Sequence, residues 1–405
     1  MLKVLAIGYV WPEPNSSAAG TYMLSLLKTF LAEGWQVTFA TPAARSDHMV
    51  DLAELGINSA AIELNNTSFD RYITDLRPDI VLFDRFMMEE QFGWRVEKHC
   101  PDALRLLDTE DLHFLRQARH RAYKQNREVT VEDLHSDMAK REIAAILRCD
   151  LSLIISQTEV ELLKNQYSVD SSLLLHLPFM LKLTEKPPPG YEQRQDFISI
   201  GNFRHAPNWD AVLWLQQSVW PLIKKQLPNA QLNIYGAYPP PKATALNAPK
   251  KGFNVLGWAK DANQVMQQAR VCLAPLRFGA GIKGKLADAM LNGTPNVTTP
   301  VGAEAMANGL DWSGFIESSA QGVADKAVLL YQDSLLWKDS QQKGFAIIKA
   351  NYDKTRLGEQ LIKAVNYQRE HLQTIRNNNF TGAMLRHHSH KSTQYMAQWI
   401  EAKNK

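Results

Sequence analysis

The chain has 405 residues, 45% of them hydrophobic and 21% charged, with a formal net charge of +3. That length exceeds what one hydrophobic core usually fills, so two domains are expected. The composition is that of a folded, soluble protein and excludes a fibrous or disordered one, and the near-neutral charge gives no reason to invoke nucleic acid. Three cysteines, Cys100, Cys149 and Cys272, lie far apart and outside any paired zinc motif, which fits a reducing compartment. No stretch reaches the ~20 apolar residues that span a bilayer, and Met1–Val10 lacks the pattern of an export signal. A cytoplasmic protein is expected, with peripheral contact at the inner face of the membrane left open.

In chain order, short apolar runs at Leu2–Ile7, Gln36–Thr41, Ile80–Phe83, Leu104–Leu107, Leu151–Ile155 and Leu173–Leu177 read as strands, with helical patterns between them. One helix starts near Ala18, carries Met23, Leu26, Leu27 and Phe30 on one face, and stops at Gly34. Thr130 with Asp133 forms a capping box before a helical pattern that ends near Cys149. Alternation of this kind requires a mostly parallel sheet covered by helices on both faces. Residues 182–195, with Pro187, Pro188, Pro189 and Gly190, read as an interdomain linker.

The alternation then restarts, with strands at Phe197–Ile200, Gln231–Tyr235, Asn254–Leu256, Val271–Ala274 and Asn296–Thr299. The predicted architecture is an N-terminal Rossmann-like domain over 1–181, the linker, a second such domain over 196–365, and a helical tail over 366–405, for which a return to the first domain is left open. Two doubly wound α/β domains place ligands at the carboxyl ends of their strands, so the active site is expected in the cleft between them.

The segment Leu273–Met306, LAPLRFGAGIKGKLADAMLNGTPNVTTPVGAEAM, carries the most chemistry. After a strand, Gly279, Gly281 and Gly284 let backbone amides approach a ligand, and a helix starting near Lys283 adds free N–H groups at the same place. Lys283 and Lys285 contribute positive charge suited to a diphosphate, both read as exposed. Asp288, about one turn on, is spaced to accept hydrogen bonds from a ribose, and Gly293 with Pro295 ends the helix. A glycine-rich turn alone is weak evidence, since packing also asks for glycine there. A dehydrogenase fingerprint would follow the first strand, and none follows Leu2–Ile7.

The string Pro-Leu-Arg-Phe-Gly-Ala-Gly-Ile-Lys-Gly-Lys resembles the donor loop of retaining GT-B glycosyltransferases of the glycosyl transferases group 1 type. Two further segments are similar in the expected order: SIGNFRHAPN at Ser199–Asn208, and DTEDLHFLR at Asp108–Arg116. The resemblance runs to about residue 350 and does not cover the tail. It implies transfer of a sugar from a nucleotide-diphosphate sugar to a glycan or lipid-linked glycan in cell-envelope polysaccharide synthesis, with no cofactor and no metal, since no carboxylate cluster of suitable form is seen.

The same resemblance distributes roles. His113, Arg204, Lys283 and Lys285 are the expected catalytic set, the cations stabilising the leaving diphosphate and His113 standing near the sugar or acceptor. Gly20, His205, Asn208, Gly279, Ala280, Gly281, Ile282, Gly284 and Asp288 are expected to bind the donor, and Asp108, Asp111 and Arg116 to face the acceptor. Relatives carry two acidic residues eight positions apart, whereas Ala280 occupies the first position here and Asp288 the second. Backbone amides around Ala280–Ile282 are expected to take over the lost sugar contact. That departure keeps a non-catalytic nucleotide-sugar binder, and a GT-B sugar-nucleotide epimerase, as alternatives.

Two features stand outside this scheme. The run Arg116, Arg119, Arg121, Lys124 and Arg127 could hold an acidic acceptor or anionic lipid, though a solvated basic face is expected. His387, His388 and His390 read as a solvated tail without carboxylate partners, and Tyr395, Met396, Trp399 and Ile400 as one side of a terminal helix packed on the protein.

Overall fold

The computed structural model describes residues 1–183 and 186–404. Thr184 and Glu185, inside the expected linker, lie outside the described residues, as does Lys405. The first sheet has seven parallel strands, β1 Lys3–Ile7, β2 Gln36–Thr41, β3 Asn58–Ala61, β4 Ile80–Asp84, β5 Leu104–Asp108, β6 Leu151–Ile154 and β7 Leu174–His176, in the order β3-β2-β1-β4-β5-β6-β7. The second has six, β8 Gln195–Ile200, β9 Leu232–Tyr235, β10 Phe253–Gly257, β11 Ala269–Ala274, β12 Asn296–Thr298 and β13 Gly314–Ile316, in the order β10-β9-β8-β11-β12-β13.

The central strands β1, β4 and β5 are almost wholly buried and mostly apolar, as a sheet covered on both faces requires, with Arg105 and the terminal Asp84 and Asp108 the buried polar exceptions. Both sheets reverse their winding once, between β1 and β4 and between β8 and β11, and the carboxyl ends of these strands open towards each other. Two strands were not foreseen. β3 and β13 sit at sheet edges with little buried surface, so no apolar run marks them.

The helices that position the site are α1 Ala18–Ala32, α2 Phe86–His99, α3 His113–Lys124, α4 Asp137–Arg148, α5 Gln157–Tyr167, α6 Ala206–Trp214 and α7 Gly284–Leu291. The capping box at Thr130 and Asp133 forms, but it caps only Val131–Leu134; the expected long helix breaks, and Ser136 caps α4 separately. α7 runs from the strand β11 side of the cleft into a core shared by both domains, where Ile282, Leu286, Ala287 and Met290 pack with residues of β1, α1 and β6.

The chain crosses back at Asp353, bridging Leu181, ahead of the expected boundary at 365. α8 Lys354–Glu370 then lies on α1, and the tail, ending in α9 Lys391–Asn404, packs on α2 and α4. The solvated reading holds for His387 and His388, which are exposed, and needs correction for His390. His390 is buried, hydrogen-bonded to Glu97 and Glu89, within a network that includes Arg148 and Arg386. The apolar side of α9 is the reverse case: Tyr395, Met396 and Trp399 are exposed rather than packed, because α9 turns Ala397 inward instead. Among the described residues no helix is long and apolar enough to cross a membrane.

Candidate active site

A cleft of about 700 Å³ lies between the two sheets, lined from the first domain by the loop after β1 and the ends of β4 and β5, and from the second by the loops after β8, β9, β10 and β11. Of the residues singled out in the sequence, His113, Arg204, His205, Asn208, Gly279, Ala280, Gly281, Ile282, Lys283, Gly284, Lys285, Asp288, Asp111 and Arg116 all line it. Gly20 and Asp108 do not. Gly20 is packed so that a Cβ would fall 2.6 Å from the Glu13 backbone, and its amide is held by the Ser17 hydroxyl that caps α1. Asp108 points into the sheet end, accepting the Glu110 amide.

The loop expected to bind the donor is tightly made. Gly281 has φ of 63° and its missing Cβ would sit 2.9 Å from Cβ of Asp111, so only glycine combines that backbone with that contact. Gly284, at the start of α7, faces Ala18 across the domain boundary with room for no side chain between them. Lys283 is buried rather than exposed: its amine donates to the carbonyls of Ala280 and Gly281, at 3.1 and 2.5 Å. Lys285 donates to Oδ1 of Asn208 at 2.8 Å. Burial lowers both amines to about 8; Glu304, Glu159 and Asp111 partly offset this at Lys283, whereas no carboxylate does so at Lys285. Asp288, the fifth residue of α7, is raised to about 7 by desolvation alone.

The amides were expected to be free for a sugar, and Gly281 is not. Its N–H donates to Oε1 of Glu159 in the other domain at 2.7 Å. Arg204 lies over the Tyr238 ring, 3.7 Å from its centroid, at the exposed rim.

On the facing side, Glu142 accepts the amides of His113 and Phe114, both at 3.0 Å, and so fixes the first turn of α3. Burial raises its carboxyl to about 8. His113 begins that helix with Nε2 3.6 Å from Asp111, and burial lowers it to about 4, so it is neutral at physiological pH. Burial would raise Asp111, but Arg116, bonded to it through one guanidinium nitrogen, with His113 and His205, holds it well below the usual carboxylate range. The basic run is solvated at Arg121, Lys124 and Arg127, as expected, while Arg116 and Arg119 are half-buried and paired. Arg119 forms a paired bond to Glu304 at 2.7 and 2.8 Å and donates to the Gly279 carbonyl, His120 stacks on Phe278, and Arg127 pairs with Asp133. Lys124 remains at the exposed end.

Arg85 and Asp84 carried no sequence signal, and Glu110 was not singled out within the DTEDLHFLR segment. Glu110 and Arg85 line the cleft, and Asp84, Asp108 and Glu110 bring ligand atoms within 4.8 Å of one another, a buried carboxylate cluster that was not foreseen because its members come from two strands. Arg85 lies 3.5 Å from Asp84 and supplies the counter-charge, while burial and Asp108 raise Glu110 well above its ordinary value. The Ser16 hydroxyl is buried at the cleft wall with no hydrogen-bond partner.

Two facing doubly wound domains with a cleft at both winding reversals define the GT-B class. Residues 194–333 match the family described as Glycosyl transferases group 1. Solved structures with the same fold include a mutant of S. aureus TarM in complex with Fondaparinux, alpha-GlcNAc-glycerol and UDP, at 10% identity and a TM-score of 0.71 over 90% of this chain and 100% of that one. Anabaena HepE in complex with UDP and glucose is similar at 11% identity and 0.68, over 90% and 100%. Sucrose-phosphate synthase from Thermosynechococcus elongatus is similar at 13% and 0.64, over 91% and 99%. No curated protein matches the chain in sequence. The chain therefore has the GT-B fold, and its second domain carries the match to Glycosyl transferases group 1.

Proposed function

We propose that the protein is a retaining transferase that moves a sugar from a nucleoside-diphosphate sugar to a glycan or lipid-linked glycan acceptor in cell-envelope polysaccharide synthesis. The observation that carries this reading is the pair of desolvated lysines, Lys283 and Lys285, beside the first turn of α7 in the interdomain cleft. A desolvated cation with no carboxylate against it, as at Lys285, is costly, and a diphosphate removes that cost while gaining the helix N-terminus. The UDP present in complexes of TarM and HepE agrees with it.

In this reading Lys285 and Arg204 stabilise the leaving diphosphate, Lys283 shapes the loop around it, and Asp288 accepts the ribose hydroxyls. Catalysis rests on charge stabilisation and positioning rather than on a metal, the cations taking that role. Neutral His113, fixed by Glu142 and flanked by Asp111, stands at the sugar and acceptor end, able to accept or donate one hydrogen bond without adding charge.

The test is thermal stabilisation of the purified protein across nucleoside diphosphates and their sugars, because a ligand of the native state raises Tm. A selective shift followed by release of the diphosphate on adding acceptor glycans supports transfer. A selective shift without turnover against any acceptor would favour the non-catalytic binder, and no shift at all would sink the donor site.

A further inference from the structure

We propose that Glu159 is a positioning residue for the transfer, its carboxylate setting the placement of the donor loop relative to the helix that begins at His113. The inference rests on the reading of the cleft as a sugar-transfer site. One oxygen, Oε1, accepts two amides: Leu112 at 3.1 Å and Gly281 at 2.7 Å. Leu112 is the residue immediately before α3, so its amide moves with His113. Gly281 is the left-handed residue of the donor loop, pressed against Asp111 and Ile155. A single atom therefore joins the acceptor-side helix to the donor side of the cleft, and neither loop can shift without breaking a bond to it.

Glu159 itself has no freedom to follow such a shift. It is fully buried, sits in the first turn of α5 with its amide bonded to the Ser156 carbonyl, and Ser156 directly follows β6 and Ile155. The opposite end of the loop is held from the same domain, since Arg119 of α3 donates to the Gly279 carbonyl while pairing with Glu304. Gly279 and Gly281 are thus pinned from the first domain on either side of Ala280, the residue that replaces the acidic side chain expected in this loop. With that side chain absent, the backbone course at Ala280 is what remains to meet a sugar, and Glu159 determines it.

Removing the carboxylate leaves two buried donors without an acceptor, which acts on the loop and on α3 together. A residue with a merely structural role would instead lower the stability of the whole domain. Hydrogen-exchange mass spectrometry on the full-length protein separates the two without any ligand. In Glu159→Ala and Glu159→Asp, exchange should rise about tenfold in peptides covering 277–286 and 109–116, with β1 and β8 unchanged. Glu159→Gln keeps an acceptor oxygen at full reach and should restore protection to within about threefold. If Glu159→Ala does not fold, Glu159→Asp carries the same expectation.

The kinetic arm uses the nucleoside diphosphate sugar selected by thermal stabilisation of the wild type. Glu159→Asp should lower kcat about tenfold while the Kd of the diphosphate changes by less than about threefold, and Glu159→Gln should recover most of kcat. Unchanged exchange in 277–286, exchange that rises evenly over the domain, or an unchanged kcat would each overturn the proposal. A wild type that binds no nucleotide overturns the transfer reading instead, while the exchange arm still reports whether Glu159 holds the loop.

Discussion

At the scale of single residues, the tight glycine loop after β11 was legible because backbone conformation dictates it. Gly281 must be glycine on both torsional and steric grounds, and a constraint of that kind is written in the residue itself. What each charged group touches is not written there. Lys283 and Lys285 read alike in the string, yet one is buried against loop carbonyls and the other reaches across to Asn208. Their substitutions therefore separate. Lys285→Ala should weaken nucleoside-diphosphate binding about tenfold with little change in Tm, whereas Lys283→Ala should lower Tm as well, having released the carbonyls of Ala280 and Gly281. Because burial holds both amines near 8, a bound diphosphate draws them back towards the protonated form. Calorimetric titration at pH 8 in buffers of different ionisation enthalpy should show net proton uptake on binding, reduced in Lys285→Ala. Uptake unchanged by either substitution would mean the diphosphate sits elsewhere.

At the scale of elements, alternation of apolar runs and helices made eleven strands readable, and the two it missed, β3 and β13, are edge strands with almost no buried face. Helix α3 shows a different failure. Its arginines look like a solvated or ligand-binding face in one dimension, since nothing local distinguishes a free guanidinium from one paired with Glu304 in the other domain. In three dimensions α3 carries His113 at its start and clasps the donor loop further along, through Arg119, and through His120 stacked on Phe278. The clasp is half-exposed, so its contribution to stability is modest, but it acts on the relation of the two domains. Arg119→Ala and Glu304→Ala should each raise the KM for donor several-fold and shift Tm by only about 1–3 °C. The double variant should be no worse than either single, the mark of a shared interaction. Additive losses in the double variant would show that the two side chains act separately.

At the scale of the whole molecule, the chain returns its last fifty residues to the domain it began with, tying the tail to the start of β6 through Arg376 with Asp150 and to α2 through His390 with Glu97 and Glu89. Folding thus buries ionisable groups at the cleft and under the tail, and they set a stability profile with a sign that can be worked out. Glu142 is raised to about 8, and Glu159, Asp108 and Asp288 to about 7, all chiefly by burial. A carboxyl raised on folding contributes stability that is fully present below its unfolded value, about 4, and is lost as pH rises through the folded value. Glu89, lowered to about 2 by Arg148 against the pull of burial, works the other way, and its contribution is complete well below neutrality. His113, lowered to about 4, also contributes fully above about 6.5. The lysines begin to add stability only above about 8. His390 is raised by its two glutamates, so its contribution too is lost as pH rises. Between pH 6.5 and 8, therefore, the raised carboxyls and His390 are the groups still changing, and all of them change in the same direction. The Tm should fall across that interval by about 2–6 °C, and Asp288→Asn, which has no proton to lose, should show a smaller fall. A Tm that is level or rises from pH 6.5 to 8 would mean that these carboxyls are already ionised in the folded protein, with water or a counter-charge reaching them in the cleft.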